Sequence, residues 1–251
     1  MNTYTLGVLG GLGPMSGIYF CEMLTAHTRA DCDQQHLNFL LSSRATTPDR
    51  TDYILGRSAD DPVPSMIAEV RKLVAAGADL IAIPCNTAHY FYESIAAASS
   101  VPVINIIDRT VEYCRFRGFS RIGVLATEGT VASGAYEDVI RNAGMDYATA
   151  APEDLAVISH IIYGQIKKGL PPDIRAFRRI GDRLLANGCD AVILGCTELS
   201  LLKRTFALGP QWIDSLEVLA CSAIRLCDKE PIGFDEALMK FLPMKGKNPC
   251  C

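Results

Sequence analysis

Two stretches of this chain end in cysteine after nearly the same text, and that repetition restricts the fold more than any other feature. The first reads Gly77-Ala78-Asp79-Leu80-Ile81-Ala82-Ile83-Pro84-Cys85-Asn86-Thr87, and the second Gly188-Cys189-Asp190-Ala191-Val192-Ile193-Leu194-Gly195-Cys196-Thr197-Glu198. They align without a gap. A second echo, Thr5-Leu6-Gly7-Val8-Leu9-Gly10 against Arg121-Ile122-Gly123-Val124-Leu125-Ala126, lies at nearly the same separation. One unit used twice with a small indel accounts for both pairs.

Short apolar runs alternate with longer amphipathic stretches, the pattern of βαβ units and a parallel sheet. Strands are predicted at 5–10, 37–42, 80–84 and 101–106, then at 121–126, 146–150, 191–195 and 212–215. Helices are predicted at 15–30, 64–76, 87–98, 133–143, 153–168, 173–187 and 215–228. Gly77 and Gly188 each follow a helix pattern and suit the left-handed position past a helix end. The expected fold class is α/β: two pseudo-symmetric lobes, each a four-stranded, mainly parallel sheet flanked by helices. No low-complexity linker separates them, so they should pack together and enclose a cleft.

At 251 residues the chain can bury a core as one large domain or as two lobes of about 110 residues each. Its net charge of −4 argues against a nucleic-acid surface, and the arginines Arg175, Arg178, Arg179 and Arg183 at helical spacing read as a solvated helix face. No stretch approaches the ~18 apolar residues of a membrane helix. No Lys or Arg precedes Arg29 to form the charged start of a secretory leader. A cytoplasmic location is expected, with no membrane or nucleic-acid partner. The ten cysteines have neither CxxC pairs nor histidines at zinc spacing, so no metal is expected. Most read as buried thiols, and Cys250-Cys251 as an oxidisable tail.

In open α/β sheets ligands bind beyond the carboxyl ends of the strands. Gly10-Gly11-Leu12-Gly13, Cys85-Asn86-Thr87, Thr127-Glu128-Gly129-Thr130 and Cys196-Thr197-Glu198 all fall there. A cysteine alone often only packs. Two in matching positions, each followed by polar residues and a helix or turn that would lower the thiol pKa from about 8.5, favour catalysis. The glycine loop fits the dinucleotide fingerprint badly, since its third glycine would fall at Ser16. It reads better as a turn presenting backbone N–H groups, Gly11 and Gly13 among them, to a small anion, with Pro14 opening the next helix. Arg50, placed in a loop, and Lys167 could each be an ordinary solvated charge. His89 and His160 are the histidines expected nearest a site.

Together these motifs resemble the aspartate/glutamate racemase superfamily, and within it the cofactor-independent aspartate racemase branch, similar to those associated with cyanobacterial nonribosomal peptide synthesis. The resemblance is carried by Gly10-Gly11-Leu12-Gly13-Pro14, Pro48-Asp49-Arg50-Thr51, Pro84-Cys85-Asn86-Thr87-Ala88-His89 and Gly195-Cys196-Thr197-Glu198-Leu199, over nearly the whole chain. It implies an N-terminal lobe of residues 1–107 with a returning helix in 216–251, a C-terminal lobe of residues 108–215, and a site between them. Cys85 and Cys196 become the catalytic acid/base pair on opposite faces of the substrate Cα. Asn86, Thr87 and Thr197 become contacts to the α-carboxylate, and Arg50 and Lys167 readers of the side-chain carboxylate. Gly11, Gly13, Thr127, Thr130 and Glu198 complete the substrate-binding set. Glu198 after Thr197 favours aspartate over glutamate, because glutamate racemases resemble Gly-Cys-Thr-His there. The implied function is interconversion of L- and D-aspartate by a thiol/thiolate pair, in a homodimer, with no cofactor. The alternatives are a broad-specificity racemase, a decarboxylase or isomerase of the superfamily, and a non-catalytic binder of small anions.

Overall fold

The two halves of the duplicated sequence build two sheets with the same strand order. The computed structural model describes residues 4–241, and Cys250 and Cys251 lie outside them. The first half runs β1 (Thr5–Gly10), α1 (Pro14–Ala26), β2 (Asn38–Ser43), α2 (Arg50–Ile54), α3 (Val63–Ala75), β3 (Leu80–Ala82), α4 (Tyr92–Ala97), β4 (Val103–Ile104) and α5 (Ile106–Phe116). The second runs β5 (Arg121–Leu125), α6 (Glu128–Ala132), α7 (Ala135–Asn142), β6 (Asp146–Thr149), α8 (Pro152–Ser159), α9 (Ile174–Ala186), β7 (Ala191–Leu194), α10 (Thr197–Thr205), β8 (Trp212–Asp214), α11 (Ser215–Leu226) and α12 (Glu236–Lys240).

The sheet orders are β2-β1-β3-β4 and β6-β5-β7-β8. Every strand pair is parallel, with Val8 opposite Ala82 in the first sheet and Val124 opposite Ile193 in the second. Sheets covered on both faces read as continuous apolar runs, and β3 and β7 are buried at every position. One face of each sheet contributes to a shared core with α1, α5, α7 and α11, where Leu6, Phe20, Ile104, Ile122, Tyr136, Ile193 and Leu219 belong to one cluster. The outer face of the first sheet is covered by α3 and α4 through Met66, Val70 and Ile95. The outer face of the second is covered by α8 to α10 through Ile158, Phe177, Ile180 and Leu199. The last long helix, α11, is buried along nearly its whole length and packs against α1 and α5 of the first half.

Strand positions agree with the pattern, and most strands are shorter at one or both ends than it predicts. The helices differ more. The predicted helix 153–168 is α only to Ser159, then π-helical over His160–Gln165 and 3₁₀ over Ile166–Lys168. The predicted helix 87–98 opens as a 3₁₀ turn over Thr87–Phe91 before α4. Gly134, at φ +69°, divides the predicted helix 133–143 from what precedes it. Helices α2, α5, α6, α10 and α12 were not predicted. Four of them start at a side-chain cap: Asp49, Asn105, Thr127 and Asp235 each accept a backbone N–H of the first turn. Gly77 and Gly188 stand one residue past a helix cap at φ +95° and +89°, as the duplicated text predicts.

Candidate active site

The central strand pair of each sheet, β1 with β3 and β5 with β7, ends where the two halves meet. Cys85 follows β3, and Cys196 follows β7 as the N-cap of α10. The two thiols line one small pocket with Leu12, Asp49, Arg50, Thr51, Asn86, Thr87, Thr127, Tyr163, Lys167, Thr197 and Glu198. The free volume among these side chains is ≈ 10 Å³, room for about one water molecule. Anything of amino-acid size enters only if side chains move.

The segments carrying the thiols are tied to each other. Thr197 Oγ1 donates to the Pro84 carbonyl at 3.2 Å, and Asn86 Nδ2 donates to Ser215 Oγ at 3.0 Å. Ser215 Oγ in turn donates to the Leu194 carbonyl at 2.7 Å. The hydroxyls of Thr87, Thr127 and Thr130 bond one another at 2.8 to 3.1 Å. Tyr163, on the π-helical segment, donates across the pocket to Thr51 Oγ1 at 2.8 Å. Such π segments are rare and often mark functional sites. Here one sets Tyr163 into the pocket, and the 3₁₀ turn that follows it brings in Lys167.

Arg50 is the first residue of α2, not a loop residue, because Asp49 caps a helix the sequence pattern did not reveal. It is 6% exposed. Its guanidinium donates to the carbonyls of Leu12 at 2.8 Å, Pro48 at 2.9 Å and Thr47 at 3.4 Å, while Nε has no partner. Lys167 Nζ instead pairs with Glu198 Oε1 at 3.0 Å. Glu198 Oε2 accepts the Cys196 thiol, also at 3.0 Å.

Two glycines make room for this arrangement. Gly11 has φ +83°, and a Cβ there would stand 2.5 Å from the Arg44 backbone. A Cβ on Gly13 would stand 2.1 Å from Glu198 Oε1. Neither glycine lines the pocket, nor does Thr130. His89 is buried beneath Cys85: Nδ1 donates to the Cys85 carbonyl at 2.8 Å, and Nε2 accepts the Ile106 N–H at 3.2 Å. Burial lowers its pKa to about 4. His160 is exposed and outside the pocket.

The expectation of lowered thiol pKa values is not met. Burial pushes Cys85 up, although Arg50 pulls the other way. Burial and then the Glu198 carboxylate push Cys196 well above its ordinary range. Desolvation of the thiolate outweighs the favourable helix and turn N–H groups. Burial alone would lower the Lys167 ammonium, but Glu198 raises it above its usual value. Burial also raises Tyr163.

The Asp/Glu/hydantoin racemase family profile matches residues 9–223. The chain belongs to that family. It is similar to the broad-specificity amino-acid racemase RacX of Bacillus subtilis, 28% identical over 229 residues that cover 87% of this chain and 96% of that protein. Its fold is similar to that of the Picrophilus torridus aspartate racemase, with a TM-score of 0.78, 27% identity, and coverage of 91% of this chain and 96% of that one. A glutamate racemase of Aquifex aeolicus is 34% identical over 154 residues, which cover 58% of each protein. This chain is thus an isomerase, a racemase of the Asp/Glu racemase family acting on a small molecule.

Leu12, Asp49, Thr51 and Tyr163 are pocket residues that were not among the predicted site residues. Asp49 and Thr51 flank Arg50 in the quoted motif, so their position carried a signal. Tyr163 carried none, since only the π-helical turn directs it inward. Among the described residues no three His, Cys, Asp or Glu side chains are grouped to hold a metal ion. No described helix is long and apolar enough to cross a membrane.

Proposed function

We propose that this racemase interconverts L- and D-aspartate with Cys85 and Cys196 as its acid/base pair. One thiol, as thiolate, takes the Cα proton; the other, as thiol, returns a proton to the opposite face, and the roles exchange with substrate handedness. Charge that develops on Cα spreads into the α-carboxylate, and backbone N–H donors in such a site are worth about 3 kcal/mol each. The Ala88 and Glu198 N–H groups face the two sulfurs and favour the thiolate of each.

The observation that carries the aspartate reading is Arg50, a buried guanidinium with only carbonyl partners and an unpartnered Nε at the pocket wall. A second carboxylate on the substrate supplies the missing counter-charge. The small pocket favours the shorter dicarboxylic amino acid. In this reading the enzyme works as a cytoplasmic homodimer without pyridoxal phosphate or metal. Similarity to a broad-specificity racemase supports a second reading, in which non-acidic amino acids are also turned over.

Proton NMR of the purified protein with L-aspartate in deuterated water tests the proposal. Loss of the Cα proton signal together with appearance of D-aspartate on a chiral column is the expected result. No exchange and no D-aspartate would overturn it, and faster racemisation of neutral amino acids would favour the broader reading.

A further inference from the structure

The two cysteine motifs align without a gap, and two residues past the thiol Thr87 stands in one and Glu198 in the other. Thr87 turns its hydroxyl away to Thr127 and Thr130. Glu198 turns back on its own cysteine. Residues two apart on a helix do not face each other, but Cys196 is the N-cap of α10, with extended backbone at φ −144° and ψ 130°. Its sulfur therefore lies within reach of the first turn, and Sγ donates to Oε2 at 3.0 Å. The other oxygen, Oε1, is held by Lys167 at 3.0 Å. Only a glycine at position 13 leaves space for this carboxylate. The charged and titratable groups lining the same pocket are Lys167, Tyr163, Cys85, Arg50 and Asp49.

We infer that Glu198 is a catalytic residue, the proton acceptor that converts the Cys196 thiol to thiolate, and that Lys167 controls when it does so. While Lys167 neutralises Glu198, Cys196 stays a thiol. When a substrate carboxylate draws Lys167 away, the unbalanced negative charge on Glu198 attracts the proton. The Sγ–H bond then breaks, an O–H bond forms at Oε2, and the electron pair stays on sulfur. The resulting thiolate can remove a Cα proton. The Glu198 carboxylate is hydrogen-bonded to Cys196 and acts on Cys85 only as a nearby charge, weaker there than Arg50, so the two halves of a symmetric reaction are served by different groups. The assignment rests on the two-thiol reading above, but half of its test needs no turnover.

The experiment follows alkylation of Cys85 and Cys196 separately by peptide mass spectrometry, beside racemisation kinetics. In the wild-type protein Cys85 should be alkylated before Cys196 between about pH 6 and 9; the reverse order would overturn the assignment. Glu198→Gln keeps the side-chain shape but removes both the charge and the acceptor. Relative to Cys85, Cys196 should then be alkylated about tenfold faster, because the carboxylate that disfavours its thiolate is gone. Racemisation should move the opposite way, with kcat down about 100-fold or more and KM changed little. A purely structural role would change both thiols together, and a role in substrate binding would appear in KM. Either result would count against the assignment, as would Cys196 labelling unchanged from wild type. Gly13→Ala provides a second variant with Glu198 intact, since the added Cβ displaces the carboxylate. It too should speed Cys196 labelling relative to Cys85, and unchanged labelling would contradict the proposed contact. If wild-type protein racemises nothing while the labelling shifts occur, the two-thiol reading fails and the Glu198–Cys196 pairing stands.

Discussion

The Tyr136 hydroxyl donates to Asn86 Oδ1 at 2.7 Å, so the residue after Cys85 is anchored by a helix of the other half. Both side chains are buried, and the opposite end of the same amide donates to Ser215. Tyr136→Phe should cost about 1–2 kcal/mol by leaving a buried carbonyl oxygen short of a donor. Asn86→Ala should cost more, since it strands both the tyrosine hydroxyl and Ser215. Denaturant unfolding measures both, and equal stability of Asn86→Ala and wild type would deny that this network joins the halves.

That network also shows what the sequence could and could not reveal. The repeated text located Cys85 and Cys196 at the carboxyl ends of equivalent strands, because strand, turn and thiol are local in sequence. The same text marked Asn86, Thr87 and Thr197 as polar at a buried turn but not where their hydrogen bonds go. In the structure these groups bond Ser215, Tyr136, Thr127, Thr130 and Pro84, all distant in sequence. Tyr163 escaped notice for a related reason. Helical periodicity over 153–168 does not distinguish α from π winding, and the difference decides which side chain turns inward.

Arg50 holds the Leu12 carbonyl with one nitrogen and leaves Nε unpartnered. Arg50→Lys keeps the charge but loses the planar fork that engages a carboxylate through two nitrogens. Turnover of aspartate, as kcat/KM, should fall about 100-fold in Arg50→Lys and further in Arg50→Ala. Any racemisation of alanine should change little. Thermal melting separates a site effect from loss of the carbonyl contacts, and wild-type kinetics in a folded Arg50→Ala would exclude this residue from substrate binding.

His89 should make the protein sensitive to acid. It is held neutral beneath Cys85 with a pKa of about 4, whereas in the unfolded chain it titrates near 6.5. The unfolded state therefore binds more protons between those values, and stability rises with pH across that window. The contribution is complete above about pH 6.5 and is lost as pH falls to about 4. By then His89 alone removes roughly 3 kcal/mol. Urea unfolding between these limits should show this slope in wild type and a shallower one in His89→Gln. Parallel slopes would mean that His89 does not carry the effect.

The doubled cysteine itself gives the strictest test of the two-thiol mechanism. If Cys85 and Cys196 flank Cα on opposite faces, Cys85→Ala and Cys196→Ala should each lose racemisation by several orders of magnitude, since one thiol can remove a proton but nothing returns it from the other side. Because the equilibrium constant between enantiomers is one, kcat/KM must fall equally in both directions, and rates of racemisation alone cannot tell which face each thiol serves. Exchange can. A variant with one remaining thiol should wash deuterium into Cα of a single enantiomer and leave its handedness unchanged, and the other variant should select the opposite enantiomer. Both are followed by NMR and chiral chromatography in deuterated water, after circular dichroism has confirmed the fold. Near-normal racemisation by either alanine variant, or exchange of the same enantiomer by both, would eliminate a mechanism in which the duplicated motif supplies one group to each face.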